Sequence, residues 1–352
     1  MAEPFFALAI QPEVRAHYYT GKPAEEQKKE NIDRFLKLID RFVSESMEWT
    51  RCTMPRLLAF PESFIHGFGP AGTRDWKVTE EMSIRIPGEE VEALGQKCKE
   101  YKLYIAGSAY EKEDPEFPDK IFNTAFIIDP DGKVALKYRK INTTNNGLEL
   151  VASPHDVWDK YSHDPKKLFP VLETPYGNFG MYICYDAHFP EVARCLALNG
   201  AEVLIRPNNW FFGTLQQLEL MQMHNRMRAI ENSAYVVTCN WALSPFSEEG
   251  TSCGHAMIVD YSGRVLAERQ DTVESFICAG IDVNALRAYR GNPRYCRNFI
   301  MGLRTEVYAA VYASKSCFPP NLYLDRNAQT LDEKWPLFDS IVTRLKKEGT
   351  LR

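Results

Sequence analysis

Apolar positions along this chain alternate between short continuous runs and a helical period, which predicts strands interleaved with helices. Phe5 to Gln11 (FFALAIQ) reads as a buried strand. After the turn-like Gly21-Lys22-Pro23, Ile32, Phe35, Leu36, Ile39, Phe42 and Val43 recur at helical spacing behind a charged first turn, as in a long amphipathic helix. Arg56 to Phe60 (RLLAF) is a second strand, ended by Pro61. A helix from about Glu89 to Tyr101 leads into the strand Leu103 to Tyr110. GMYICYD and EVLIRP supply strands in the second half. The helix from about Thr214 to Ser233 carries Leu220, Met223, Met227 and Ile230 on one stripe, which reads as core-facing. Beyond Val283 the pattern loosens into a tail with a final helix near Trp335 to Lys347, expected to pack on the body or on a partner subunit.

One feature recurs. AFIIDPDGKVALK (Ala125 to Lys137) is echoed by AMIVDYSGRVLAE (Ala256 to Glu268), offset by 131 residues. Each reads as strand, Asp/Gly turn, strand: a hairpin. YKLYIAGS and SAYVVTCN echo each other upstream at nearly the same offset. The period is too long for a solenoid, so the expectation is one body of two similar halves in a layered α/β architecture. No Gly/Ser- or Pro-rich linker divides the chain, which is read as a body over 1–290 and an extension over 291–352.

Composition narrows the class. With 352 residues, 45% hydrophobic and 25% charged, the chain can bury a sizeable core. A net charge of −5 with scattered basic residues argues against nucleic acid or a membrane surface as partner. The first residues lack a basic n-region and no apolar run approaches a membrane span, so a cytoplasmic location is expected. The nine cysteines form no CxxC pair and the seven histidines no HExxH, so free thiols are expected and neither a metal nor any other cofactor.

Three strand-like runs end in a reactive side chain: LLAFPESF presents Glu62, VALKYRKIN presents Lys140, and MYICYDAHFPE presents Cys184. Each alone is ordinary: a solvated glutamate, a strand-edge lysine, a small core thiol. Together they supply the parts of acyl transfer without histidine. A thiolate is the nucleophile, a desolvated glutamate can be its base, and a lysine with a backbone N–H can hold a developing oxyanion.

AFPESF, KYRKIN and YICYDAHFPEVAR, in this order, resemble the three signature segments of the nitrilase superfamily, the carbon–nitrogen hydrolases. The resemblance covers roughly residues 5 to 285. It implies a four-layer α-β-β-α sandwich of two pseudo-symmetric halves, and a homodimer or higher homo-oligomer formed through helices beside the cysteine strand. By the same resemblance Glu62 is the general base, Lys140 the oxyanion stabiliser, Cys184 the nucleophile, and the Tyr185 N–H completes the oxyanion hole. A second glutamate often follows the lysine in this family; Glu149 in KINTTNNGLEL is the candidate, although the segment departs from the usual versions.

True nitrilases usually place Trp-Glu after the cysteine, whereas Tyr185-Asp186 here looks closer to amide hydrolases of the aliphatic amidase and formamidase group. Ala187 and His188 stand where N-carbamoyl hydrolases often carry carboxylate-pairing arginines, leaving His188 as an anion partner or a structural histidine. Strand ends nominate Phe64, His66, Asn208, Asn209, Trp210 and Trp241 as pocket residues. The expected activity is hydrolysis of a small linear aliphatic amide through a cysteine thioester. A ureido amidohydrolase or nitrilase using the same residues is the alternative, and a non-catalytic oligomeric scaffold the alternative of another class.

Overall fold

The computed structural model of the chain describes residues 1–68, 75–144, 149–210, 214–245, 254–294 and 298–352. The first half runs β1 (Phe5–Gln11), α1 (His17–Thr20), α2 (Ala24–Trp49), β2 (Leu57–Ala59), α3 (Trp76–Met82), α4 (Glu89–Tyr101), β3 (Tyr104–Glu111), β4 (Phe122–Ile128) and β5 (Val134–Arg139). After α5 (Pro165–Leu168) come β6 (Val171–Thr174), β7 (Gly177–Met181), α6 (Pro190–Leu198), β8 (Val203–Pro207), α7 (Leu215–Asn232) and β9 (Tyr235–Cys239). The hairpin β10 (Met257–Val259) and β11 (Val265–Glu268) is followed by β12 (Ser275–Ile281), α8 (Val283–Arg290), α9 (Thr305–Ala313) and α10 (Trp335–Lys347).

These strands form two six-stranded sheets, ordered β12-β1-β2-β3-β4-β5 and β11-β10-β9-β8-β7-β6. In each, three consecutive strands are parallel and a hairpin extends one side. The sandwich is therefore built of two pseudo-symmetric halves. The echo reaches fine detail: register shifts between Ile127 and Ile128 in one hairpin and between Ile258 and Val259 in the other, 131 residues on. Asp129 Oδ1 accepts the Asp131 and Lys133 N–H groups, as Asp260 Oδ1 accepts those of Ser262 and Arg264. Gly132 and Gly263 take positive φ (74° and 83°), which closes both turns without a Cβ clash.

Strand alternation sets the layers. Ala7, Ala9, Leu57, Ala59 and Ala106 face the second sheet, packing with Val203, Ile205 and Val237. The opposite faces of the same strands present Leu8, Ile10, Leu58 and Ile105 to the apolar stripe of α2 and to Val91, Leu94 and Cys98 of α4. Small side chains between the sheets and large ones under the helices let the inner strands β2, β3, β4, β8 and β9 be buried on both faces, hence their continuous apolar runs.

One helical reading is corrected. Among the described side chains of α7 the buried positions are Met221, Asn225, Arg228, Ala229 and Asn232, while Met223 and Met227 are exposed and Leu220 and Ile230 half-exposed. The core-facing side of α7 is chosen by polar residues with fixed partners rather than by the methionine stripe. Among the described residues no helix is long and apolar enough to cross a membrane.

Candidate active site

The site forms where β2, β5 and β7 end. Lys140 follows β5, and its ammonium donates to Glu62 Oε1 and Glu149 Oε2, each at 2.8 Å. Asn123, on neighbouring β4, donates from one amide nitrogen to Glu62 Oε1 (2.8 Å) and Glu149 Oε1 (2.7 Å). Its carbonyl accepts the Lys140 N–H (2.9 Å), so the strand ladder itself sets the lysine's position. The Thr144 N–H adds a bond to Glu149 (3.2 Å). Glu62 is fixed through its backbone, donating to Asn208 O (3.3 Å) and accepting Trp241 Nε1–H (2.7 Å).

Cys184 begins a 3-10 turn, Cys184 to His188, directly after β7 and Tyr182-Ile183. Its φ is +42°, left-handed for a residue with a Cβ, and Ser63 beside Glu62 has φ +53°. Such conformations cost about 1–3 kcal/mol each and persist where surrounding bonds impose them. Here they do: Asp186 is buried and accepts Ile183 N–H and Tyr138 O–H (3.0 and 2.8 Å), plus Asn142 N–H (2.9 Å). Arg206 Nη2 donates to Cys184 O (3.0 Å), and Arg228 donates from Nε and Nη2 to Ala187 O (3.2 and 2.8 Å). The thiol lies 3.6 Å from Asn209 O. The first bond within the turn runs from Asp186 N–H to Ile183 O, so the Cys184 and Tyr185 N–H groups precede it. Cys184 is 8% exposed, against 1–2% for Glu62, Lys140 and Glu149, which makes it the least buried residue of the four.

Charge separates the two glutamates. Burial drives the Glu62 pKa up; Lys140 opposes this, Glu149 reinforces it, and hydrogen bonds from Lys140 and Cys184 hold it back, leaving a net rise. Burial acts on Glu149 too, but its charge and hydrogen-bond pairing with Lys140 prevail and its pKa is lowered. Burial works against the Lys140 charge, yet Glu149 and Glu62 outweigh it and hold the lysine protonated. Burial and the Glu62 charge push the Cys184 thiol up, with Lys140 and Arg206 pulling the other way. Two carboxylates in one site with acidities pushed apart can take different parts in proton transfer.

Beside the cysteine lies an aromatic box. His188 stacks on Trp210 (5.3 Å, 14°) and meets His224 edge-on (4.6 Å), while Tyr185 packs on His188 and Phe189. Burial and the Arg206 charge lower His188 to about 4 and His224 to about 3, so both imidazoles are neutral near pH 7. Among the described residues, Trp210 Nε1, His224 Nδ1 and the Asn209 side-chain amide have no hydrogen-bond partner.

Two pocket expectations are corrected. Phe64 is fully buried in the layer beneath the first sheet, packed on Phe35, Phe60 and Phe126, because that face of the chain meets α2. His66 is a framework residue: its Nε2 accepts the Tyr110 N–H (2.8 Å), which leaves Nδ1 to donate to Gly67 O (2.7 Å). Asn208 and Trp241 act on Glu62 through its backbone, and Trp241 is buried against Phe68. Sequence reading missed Asn123, Arg206 and His224. The first two had a signal, since a polar side chain inside an apolar strand must find a buried partner. His224 had none, because its neighbours come from distant segments.

Residues 15–291 match the carbon–nitrogen hydrolase family. The chain is 33% identical over 269 residues to the omega-amidase NIT2 of Xenopus tropicalis, covering 75% of this chain and 87% of that protein. It is 31% identical over 241 residues to human omega-amidase NIT2, covering 67% and 79%. The structure is similar to that of Nit3 of Saccharomyces cerevisiae, a branch 10 member of the nitrilase superfamily, with TM-score 0.64, 25% identity, and 84% and 97% of the two chains covered. A carbon–nitrogen hydrolase from Helicobacter pylori shares the fold at TM-score 0.68 and 20% identity over 88% and 98%. The chain belongs to the carbon–nitrogen hydrolase family, in the nitrilase superfamily. It is a hydrolase acting on carbon–nitrogen bonds other than peptide bonds.

Proposed function

We propose that this chain hydrolyses a small linear aliphatic amide to a carboxylate and ammonia through a thioester on Cys184. The observation that carries this reading is Lys140 held between Glu62 and Glu149, with the pKa of Glu62, alone of the two glutamates, raised beside the thiol. Glu62 takes the Cys184 proton as sulfur attacks the amide carbon. The oxyanion receives the Lys140 ammonium and the Tyr185 N–H, and Glu62 returns the proton to the leaving nitrogen. Water, deprotonated by Glu62, then attacks the thioester carbon, the carbon–sulfur bond breaks, Glu62 returns the proton to the Cys184 sulfur, and the acid is released. Glu149, kept ionised, holds Lys140 charged throughout.

The neutral His188–Trp210–His224 box supports an uncharged group beside the reacting carbon. A neutral, stacked His188 does not replace the arginines of a carboxylate clamp, which disfavours a ureido acid. Relatives named omega-amidases also support an amide over a nitrile. The seven described cysteines are all free, in keeping with a cytoplasmic protein. The exposed methionines of α7 with Leu198 of α6 suit contact with a second copy of the chain.

Intact-mass trapping across short amides, nitriles and ureido acids tests the reading. A small amide should add its acyl mass to wild type and nothing to Cys184→Ala. Acylation by no amide, or equal acylation of the alanine variant, would overturn it.

A further inference from the structure

We propose that the C-terminal extension is a strap that holds the active-site glutamate: Lys334, through its bond to the Glu149 carbonyl, is a positioning residue for the Lys140–Glu149 pair. This rests on the reading above that Glu149 keeps Lys140 charged and in place. The family match ends at residue 291, so the strap lies outside the part of the chain it shares with that family.

Lys334 ends the short 3-10 turn Leu331–Lys334 and is only 4% exposed. Its ammonium donates to Glu149 O at 2.8 Å and lies 5.8 Å from the Tyr323 ring centroid. Among the described residues it makes no ion pair. A buried ammonium without a carboxylate partner is costly, so such a lysine needs good donors' targets where it sits. Here the target is the backbone of the residue whose side chain grips Lys140.

The approach to Lys334 is laced to the body over its whole length. Asn321 and Tyr323 N–H groups donate to His155 O and Asp156 O (2.9 and 3.0 Å). Asn327 Nδ2 donates to Asp119 O (2.7 Å), and Lys120 Nζ reaches Asn327 Oδ1 (3.1 Å). Tyr323 and Ala328 pack on Leu150, the residue after Glu149. Glu149 thus has its carboxylate fixed from the sheet side by Asn123 and Lys140, and its backbone fixed from the tail side by Lys334. Releasing the second restraint leaves the carboxylate free to pull Lys140 off its line to the oxyanion, and misplacement of that order lowers rate more than binding.

The full chain as wild type, Lys334→Met, Lys334→Arg and Glu149→Gln would be compared in two readouts. One is kcat and KM on a small amide; the other is the rate of Cys184 alkylation by iodoacetamide, followed by mass. Lys334→Met should lose about tenfold in kcat with KM within about twofold, and alkylate severalfold more slowly, with Lys334→Arg recovering part of both. If Lys334→Met does not fold, Asn327→Ala, at a half-buried tail anchor, should lower kcat in the same direction by a smaller factor. Wild-type kcat and alkylation in a folded Lys334→Met, or in Asn327→Ala where that variant stands in, would overturn the strap. Wild-type alkylation in Glu149→Gln would overturn it as well. If wild type turns over no amide while alkylation still falls in Lys334→Met and in Glu149→Gln, the strap stands and the amide reading fails.

Discussion

The register that matches β1, β2 and β3 with β7, β8 and β9 gives each reactive residue a counterpart in the other half of the molecule. Ala7 pairs with Leu57 and Leu57 with Tyr104, as Phe179 pairs with Val203 and Val203 with Tyr235. Counting on from these rows, Cys184 corresponds to Pro12, Glu62 to Asn208, Lys140 to Asp271 and Asn123 to Gly254. The backbones at these positions serve alike. Carbonyl groups of Glu62 and Cys184 are held by Trp241 and Arg206, and those of Asn208, Pro12 and Asp271 by Glu62, Ala242 and Gln11. The side chains do not. The frame is present twice, whereas Glu62 and Lys140 come from one half and Cys184 from the other, and they meet at a single place.

Variants at matched positions should therefore differ widely. Cys184→Ala should lower kcat by more than about 10⁴-fold, the size of loss when a nucleophile acting as part of a unit is removed, with near-wild-type thermal unfolding. Lys140→Met removes the proposed oxyanion donor and should cost about 10²–10³-fold in kcat, read in the same assay. In the proposed mechanism Glu62 must be ionised to accept the thiol proton, and its pKa is raised. Activity should fall as pH drops through a value above the ordinary carboxylate range, and Glu62→Gln should remove that acid limb from the kcat/KM profile along with most of the rate. At the other end of the scale, Asp271→Asn loses only an exposed ion pair with Arg269. It should change kcat by less than about twofold and stability by less than about 1 kcal/mol, measured by urea unfolding. A large effect there would mean that the counterpart positions still share a task.

Much of this organisation was legible in the sequence because strand periodicity and turn chemistry are local. The helix from Glu89 to Tyr101, the repeated hairpins and the three strand-end residues needed only short windows. Phe64 and His66 misled because sequence distance from Glu62 does not say which face a side chain takes. Ser63 turns through positive φ between them and the glutamate, and Phe64 goes under the sheet. The α7 stripe misled for a complementary reason. Hydrophobicity favoured its methionines, but Asn225 and Arg228 have buried partners in Arg206, Thr238 and Ala187, and those bonds set the helix's rotation.

The pairing of β1 with β12 also has a consequence in time. Phe5 bonds opposite Ile281 and Gln11 opposite Ser275, so β1 closes against a strand made about 270 residues later. At about 5–20 residues per second, that edge waits on the order of tens of seconds for its partner during synthesis. Through that interval a short strand, apolar but for Gln11, has one open row of backbone donors and acceptors, which is the condition under which nascent chains pair with one another. Yield in a cell should then depend on how quickly translation reaches residue 281 and on what shelters Phe5 to Gln11 until it does.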